Sequence, residues 1–457
     1  MSPIRWALLT TASLICFCLH PVCAEVCLPA LTAETIAGTT RKLGTLLRRN
    51  LNFESSDSGY ASHGIHPFAA KFPPQIPRLF IEELTRSGDT VLDPMAGSGT
   101  TIVESLLLRR EAFGFDIDPL AIRLCKVKTT WLSIDELQKS GIQIIAAAKR
   151  HGSDRETTEA KLNSRFDSET QEFLNYWFLP KTQLELMALI SAIEQAVDSP
   201  VRDFFELVFS STIIAKSGGV SLARDLAHSR PHRDDEKKPK NAISEFELRL
   251  AKVLRKFHAL PLGVKRVFVL ERNAKDLPIP SDSIDLVVTS PPYANAIDYM
   301  RAHKFSLVWL GHRISELSNL RGRYIGSEKT NGTAWERFPE KADAYCGALE
   351  GKDKGKGRVL RKYLMEMKQV LMEMRRVLRT GKAAVLVVGP SVMRGMEIPT
   401  HELLAEVAED VGFDIAGIRK REIDRGRRML PTSFGRNGNS MIEQRMHKEF
   451  VIGLVKR

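Results

Sequence analysis

Cysteine is scarce where it would matter. Of six cysteines in 457 residues, four (Cys16, Cys18, Cys23 and Cys27) crowd into the first 27 positions, leaving only Cys125 and Cys346 for the body of the chain. Two cannot make a disulfide framework, and no Cys/His cluster has zinc-ligand spacing, so a reduced compartment and no metal are expected. Long apolar runs are absent beyond the N-terminus, which excludes a helical membrane protein for the rest of the chain. The Gly-Lys-Ser/Thr of a phosphate loop is missing, which argues against nucleoside triphosphate hydrolysis. No internal repeat is found.

What is present is length, charge and two proline- and glycine-rich turns. The 457 residues, 43% hydrophobic, suffice for one large α/β domain with an insertion or for two ordinary domains. A net charge of +12 favours a polyanionic partner, although basic composition alone is weak evidence for one. The first 24 residues resemble a secretory signal: Arg5, an apolar run from Trp6 to Leu19, then Val22-Cys23-Ala24. The intracellular chemistry indicated downstream instead predicts a cytoplasmic protein whose residues 1–30 are a chance apolar leader or a misassigned start.

Thr90-Val91-Leu92-Asp93 reads as a strand, Pro94 to Gly99 as a glycine turn, and Thr100 to Arg109 as a helix. A second strand, Ala112 to Phe115, stops at Asp116-Ile117-Asp118-Pro119, where Asp118 suits an N-cap and Pro119 the first helical position. This alternation predicts a parallel sheet with covering helices. Further strands are expected at Arg266–Leu270, Ile284–Thr289, Ala383–Val388, Asp414–Ile423 and Phe450–Val455, with helices at Val359–Leu378 and His401–Val411. Between them lies a mostly helical insertion that includes Thr182–Ala196 and Pro200–Lys216. Two polar segments, His228–Lys240 and Gly347–Gly357, have the composition of mobile loops.

The turn Asp93-Pro94-Met95-Ala96-Gly97-Ser98-Gly99-Thr100-Thr101 lets backbone approach a ligand closely, but it lacks the third glycine of the dinucleotide fingerprint. Asp116, at a strand's carboxyl end, is placed either to accept ribose hydroxyls or simply as surface charge. In Thr289-Ser290-Pro291-Pro292-Tyr293, two prolines after a buried strand force a rigid extended turn whose acceptors suit an amine donor. Tyr293 offers a ring on which an extruded base could stack.

Together, Asp93 to Thr101 and Ser290 to Tyr293 resemble the S-adenosylmethionine-dependent DNA amino-methyltransferases. That family pairs a glycine motif with an Asp/Asn/Ser-Pro-Pro-Tyr/Phe motif, and Ser at the first position resembles the cytosine-N(4) subgroup. His66-Pro67-Phe68-Ala69-Ala70-Lys71-Phe72-Pro73-Pro74 is similar to the family segment that closes over the methionine end of the cofactor. The resemblance covers roughly residues 60–130 and 263–457. It implies a Rossmann-like class I fold, with a seven-stranded, mostly parallel sheet and a helical insertion.

The resemblance also implies roles for particular residues. Asp93, Pro94, Ala96, Gly97, Ser98, Gly99, Thr100, Asp116, Lys71 and Phe72 would hold S-adenosylmethionine, with Asn273 and Asp276 near its adenine, Asn273 standing where the family usually has an acid. Ser290, Pro291, Pro292 and Tyr293 would be catalytic. Carbon-5 cytosine enzymes attack with a cysteine after a proline, and no Pro-Cys dipeptide occurs here. Double-stranded DNA is the expected partner, with a cognate restriction endonuclease and no membrane. Arg419, Lys420, Arg421, Arg425, Arg427 and Arg428, with Arg436 beyond them, are candidate nucleic-acid contacts, as are Lys237 to Lys240.

The expected organisation is a leader (1–30), a first part of the core (31–130), an insertion for target recognition (131–262) and a second part of the core (263–457). Three other readings stay open: an adenine-N(6) enzyme, a tRNA guanine-N(2) enzyme, and an inactive scaffold that binds nucleic acid.

Overall fold

The computed structural model describes residues 33–54, 56–68, 71–215, 219–224, 226, 231–257, 266–294, 298–328, 336–423 and 447–457. The N-terminal leader falls outside them. Helices α1 (Ala33–Leu47) and α2 (Gln75–Leu84) precede β1 (Thr90–Asp93), α3 (Thr100–Leu107), β2 (Glu111–Asp116) and α4 (Pro119–Thr129). Asp118 caps α4 as expected, its Oδ1 accepting from Leu120 N at 2.8 Å, with Pro119 in the first turn. The later strands are β3 (Val267–Glu271), β4 (Ile284–Thr289), β5 (Leu378–Val388), β6 (Phe413–Glu422) and β7 (Lys448–Lys456).

These seven strands form one sheet in the order β3-β2-β1-β4-β5-β7-β6. The first five are mutually parallel, and β7 runs antiparallel between β5 and β6. Because side chains alternate along a strand, the apolar strands bury both faces. Val91, Leu286, Val288, Val385 and Val387 pack on α1 and α2, where Leu43, Leu47, Ile76 and Phe80 meet them. Leu92, Val287, Ala384, Leu386 and Val388 face the opposite layer, which is made by α14 (Lys354–Val377) and α15 (Thr400–Asp410). The seven-stranded class I architecture implied by the resemblance is the one observed.

The insertion supplies α5 (Ile134–Ser153), α6 (Arg155–Arg165), α7 (Ser168–Trp177), α8 (Pro180–Ala196), α9 (Val201–Ile213) and α10 (Ala242–Lys256). It packs into a single core with Leu120 and Leu124 of α4 and with Met300, Phe305 and Trp309, which lie in or just after α11 (Met300–Leu307). The helices are therefore continuous with the segment that follows the Ser290 turn.

One of the two expected loops is corrected. The Gly347–Gly357 segment is helical, running from α13 (Glu340–Lys352; α12 is Ile314–Arg323) into α14. Ala342, Cys346 and Leu349 recur at helical spacing and are fully buried, and Asp353 Oδ1 accepts from Lys356 N at 2.9 Å to cap α14. That apolar stripe outweighs the glycine and lysine content. In the other segment, residues 228–230 lie outside the described set, but His232–Arg233 pairs with Ala223–Arg224 as a short hairpin. Lys237 Nζ donates to Ala223 O at 2.5 Å and Lys240 pairs with Glu245 at 3.1 Å, so both lysines are engaged within the protein.

Candidate active site

The site begins at the carboxyl ends of β1, β2 and β4. After β1 the backbone doubles back, with Ala96 N donating to Phe115 O at 2.8 Å and Gly99 N to Ala96 O at 2.7 Å. The reversal puts Gly97 at φ +49° and Gly99 at φ +75°, in the left-handed region that L side chains avoid. Gly99 begins α3 with no side-chain cap, so first-turn amides are left for a ligand. The Asp116 carboxylate accepts Gly97 N at 2.8 Å through one oxygen and Asp118 N at 2.9 Å through the other. Burial, reinforced by the Asp118 charge, pushes Asp116 up to about 6.

The Ser290 turn lies beside the glycine turn because β4 pairs with β1. Thr289 Oγ1 donates to Asp93 Oδ1 at 2.7 Å, and Thr101 Oγ1 donates to Val288 O at 3.1 Å, so the two turns are bolted together. Burial pushes Asp93, which is 1% exposed, up to about 7. Ser290 Oγ donates to Val387 O at 2.9 Å, and a carbonyl can only accept. The serine proton is thereby committed to the neighbouring strand, and the lone pairs are what Ser290 offers the cleft.

A cleft of about 830 Å³, open to solvent, joins these pieces. Among the predicted residues, Lys71, Phe72, Pro94, Ala96, Gly97, Ser98, Thr100, Asp116, Asn273, Ser290 and Pro292 line it. Five others do not. Asp93 is spent bolting the turns, Gly99 is consumed by backbone geometry, Pro291 is buried, and Asp276 is exposed to solvent.

The fifth, Tyr293, corrects the expectation of a stacking ring in the cleft. Its hydroxyl donates to Glu449 Oε1 at 2.7 Å, and its ring lies so close to Gly389 that a Cβ there would sit 2.5 Å from it. Glu449 in turn pairs with Arg421, which is 3% exposed and donates from Nε to Leu51 O at 2.9 Å. Arg421 is thus a buried structural partner, covered by the Leu51–Asn52 segment to which it donates, while Arg419 and Lys420 stay exposed. Lys420 pairs with Glu422 at 2.6 Å. Arg425, Arg427, Arg428 and Arg436 lie outside the described residues.

The opposite wall contains residues the sequence reading passed over: Tyr299, Arg323, Tyr324 and Ile325, with Arg272 beside Asn273. Phe68 stacks on Tyr299 with centroids 5.6 Å apart and meets the His303 ring at 5.2 Å. His303 Nδ1 lies 2.5 Å from Asp118 Oδ2. Burial alone would raise Asp118, but His303 and the α4 amides hold it below the ordinary carboxyl range. Ser306 Oγ donates to His303 O at 3.1 Å and Ser210 Oγ donates to Ser306 Oγ at 3.0 Å. His66 Nε2, 3.0 Å from Ser210 Oγ, must then be the donor to Ser210. The only sequence signal for this wall was the His66–Pro74 resemblance.

Among the described residues, no helix is long and apolar enough to cross a membrane and no cluster could hold a metal ion.

Residues 43–127 match a family model described as DNA methylase. The chain is 22% identical over 383 residues to the type II methyltransferase M.MvaI of Kocuria varians, covering 78% of this chain and 83% of that one. It is 22% identical over 399 residues to M.AvaI of Nostoc, covering 80% and 79%. A crystal structure of a SAM-dependent methyltransferase from Methanosarcina mazei aligns over 82% of this chain and 96% of that one, at 12% identity and a TM-score of 0.29.

Proposed function

We propose, from the premise that this chain belongs to the N(4)/N(6) family of DNA amino-methyltransferases, that it methylates the N(4) amine of cytosine in double-stranded DNA. Its cofactor is S-adenosylmethionine, which supplies an electrophilic methyl group on a sulfonium. The cleft fits that molecule. It opens at the carboxyl ends of the central strands, α3 leaves uncapped amides, and Asp116 keeps lone pairs for ribose hydroxyls. Asn273 would meet the adenine, and Lys71 and Phe72 the amino-acid end.

The observation that carries the reading is the direction of the Ser290 hydrogen bond. With its proton on Val387 O, the hydroxyl faces the cleft as an acceptor. Pro291 is buried behind the lining, and its carbonyl is assigned as the second acceptor by the motif's resemblance alone. Two acceptors in series suit an exocyclic amine, which carries two hydrogens. Accepting them orients the amine and raises density on its nitrogen, so Ser290 acts by positioning rather than as a strong base. Serine at the motif's first position supports cytosine as the target. Arg419 and Lys420 are proposed phosphate contacts and the insertion a target reader. A type II role beside a cognate endonuclease is the setting this reading gives the enzyme.

The test is to incubate the full chain with labelled S-adenosylmethionine and either plasmid DNA or bulk tRNA, then identify the modified nucleoside by mass spectrometry. N(4)-methylcytosine in DNA is expected, with the rate falling about 10²- to 10³-fold in Ser290→Ala while cofactor affinity is kept. N(6)-methyladenine would overturn the choice of base. Label confined to tRNA would overturn the choice of nucleic acid.

A further inference from the structure

Lys128 stands in the last turn of α4, pointing back beneath the glycine turn, and is only 2% exposed. Its Nζ donates to Ser98 O at 2.6 Å. Among the described residues that carbonyl is its one hydrogen-bond acceptor, and no carboxylate lies within ion-pair distance of it. An ammonium carries three donors, so two remain for something else. A buried cation with neither counter-ion nor full solvation is strongly disfavoured, and burial followed by the nearby Lys71 charge pushes Lys128 well below an ordinary lysine.

The neighbours deepen the imbalance. Lys71 lines the cleft close by, with Nζ 2.6 Å from His63 O. His63 and His66 are themselves pushed down, first by burial and then by positive neighbours that include both lysines. Cys125, one turn earlier on α4, has its thiol pushed up by burial. The nearby acids are already engaged: Glu104 by His63 at 2.8 Å and Arg78 at 3.4 Å, Asp93 by Thr289, Asp116 by two backbone amides. Lys128, just behind the lining, and the uncapped start of α3 thus meet at one end of the cleft, and among the described residues no carboxylate pairs with Lys128.

We propose that Lys128 is a positioning residue for the carboxylate at the amino-acid end of the cofactor, fixing the glycine turn through Ser98 while its charge draws that anion against the turn. The proposal rests on reading the cleft as the S-adenosylmethionine site. Lys71, which lines the cleft near it, adds a second positive charge. An arriving carboxylate raises the proton affinity of Lys128, so loading the site takes up a proton.

Calorimetry on the full chain with two ligands tests this. S-Adenosylhomocysteine carries the carboxylate, whereas 5′-methylthioadenosine keeps the nucleoside and thioether but has no amino acid. Lys128→Met is expected to weaken S-adenosylhomocysteine roughly 10- to 100-fold and leave 5′-methylthioadenosine unchanged, with Lys128→Arg recovering part of the loss. Titration at a pH well above the Asp116 value of about 6, where that carboxyl is already ionised, in buffers of different ionisation enthalpy should show proton uptake with S-adenosylhomocysteine in the wild type, and none in Lys128→Met or with 5′-methylthioadenosine. Equal weakening of both ligands would reduce Lys128 to a prop for the turn and overturn the proposal, as would unchanged affinity for both. Failure of the wild type to bind either ligand would overturn the cofactor reading itself.

Discussion

The two walls of the cleft are built by different means. The sheet-side wall draws Pro94 to Ser98, Thr100 and Asp116 from one short β-α-β stretch, and adds Ser290 by pairing one more strand. Its geometry is a matter of backbone: two left-handed glycines, an uncapped helix and a carboxylate gripping amides. The opposite wall brings Phe68 together with Tyr299, Arg323 and Tyr324 from more than 200 residues away. Side chains hold it, and one of them, Ser210, belongs to the insertion. A wall made of backbone should break sharply when its geometry is denied, while a wall made of side chains should loosen by degrees.

The largest effect is expected at Gly99. A Cβ there would lie 2.8 Å from the buried Cys125 sulfur, and φ is +75°. Gly99→Ala combines a left-handed alanine, about 1–2 kcal/mol, with core overpacking of about 1–3 kcal/mol. Urea unfolding should register a loss of about 2–5 kcal/mol, and cofactor affinity should fall with it. A loss below about 1 kcal/mol would mean that the turn relaxes and that the sheet-side wall is less rigid than its hydrogen bonds indicate.

A second effect, of about tenfold, comes from Asp116, whose carboxyl is pushed up to about 6. Deprotonated, it has acceptors for ribose hydroxyls, so S-adenosylhomocysteine should bind about tenfold more weakly at pH 5 than at pH 7. Asp116→Asn should bind weakly and flatten the profile. The sign for folding is opposite. A raised carboxyl favours the folded state below the unfolded value near 4, and that contribution is lost as pH rises through about 6. Level affinity from pH 5 to 7 in the wild type would remove Asp116 from ribose binding.

The contrast between the walls also explains what was legible in the sequence. Strands at Thr90–Asp93 and Ile284–Thr289 and the Asp118 cap were readable because β-branched runs, prolines and short polar caps act on their own neighbours. Gly97, Ser98, Asp116 and Ser290 followed from those local signals together with the family resemblance. Tyr293 and Arg421 were misassigned because their partner, Glu449, is 156 residues from one and 28 from the other, and nothing local announces a buried ion pair. Tyr299 and Tyr324 escaped notice for the same reason, since a tyrosine becomes a wall only through what packs behind it. The helix through Gly347 was hidden by composition, although its buried positions kept helical spacing.

The smallest effect tests the wall that could not be read. Ser210→Ala removes the acceptor of His66 Nε2 and the donor to Ser306, leaving a buried imidazole N–H unsatisfied. The cost should be about 1–2 kcal/mol in unfolding. If that chain fixes the Phe68–Tyr299 stack over the cleft, cofactor affinity should also drop by about three- to fivefold, with protection of the 60–68 amides from hydrogen exchange falling in parallel. Lost stability with unchanged affinity would mean that the stack stands without the insertion. The insertion's part in the enzyme would then lie wholly outside the cofactor site, and the two walls would differ in sequence separation but not in what supports them.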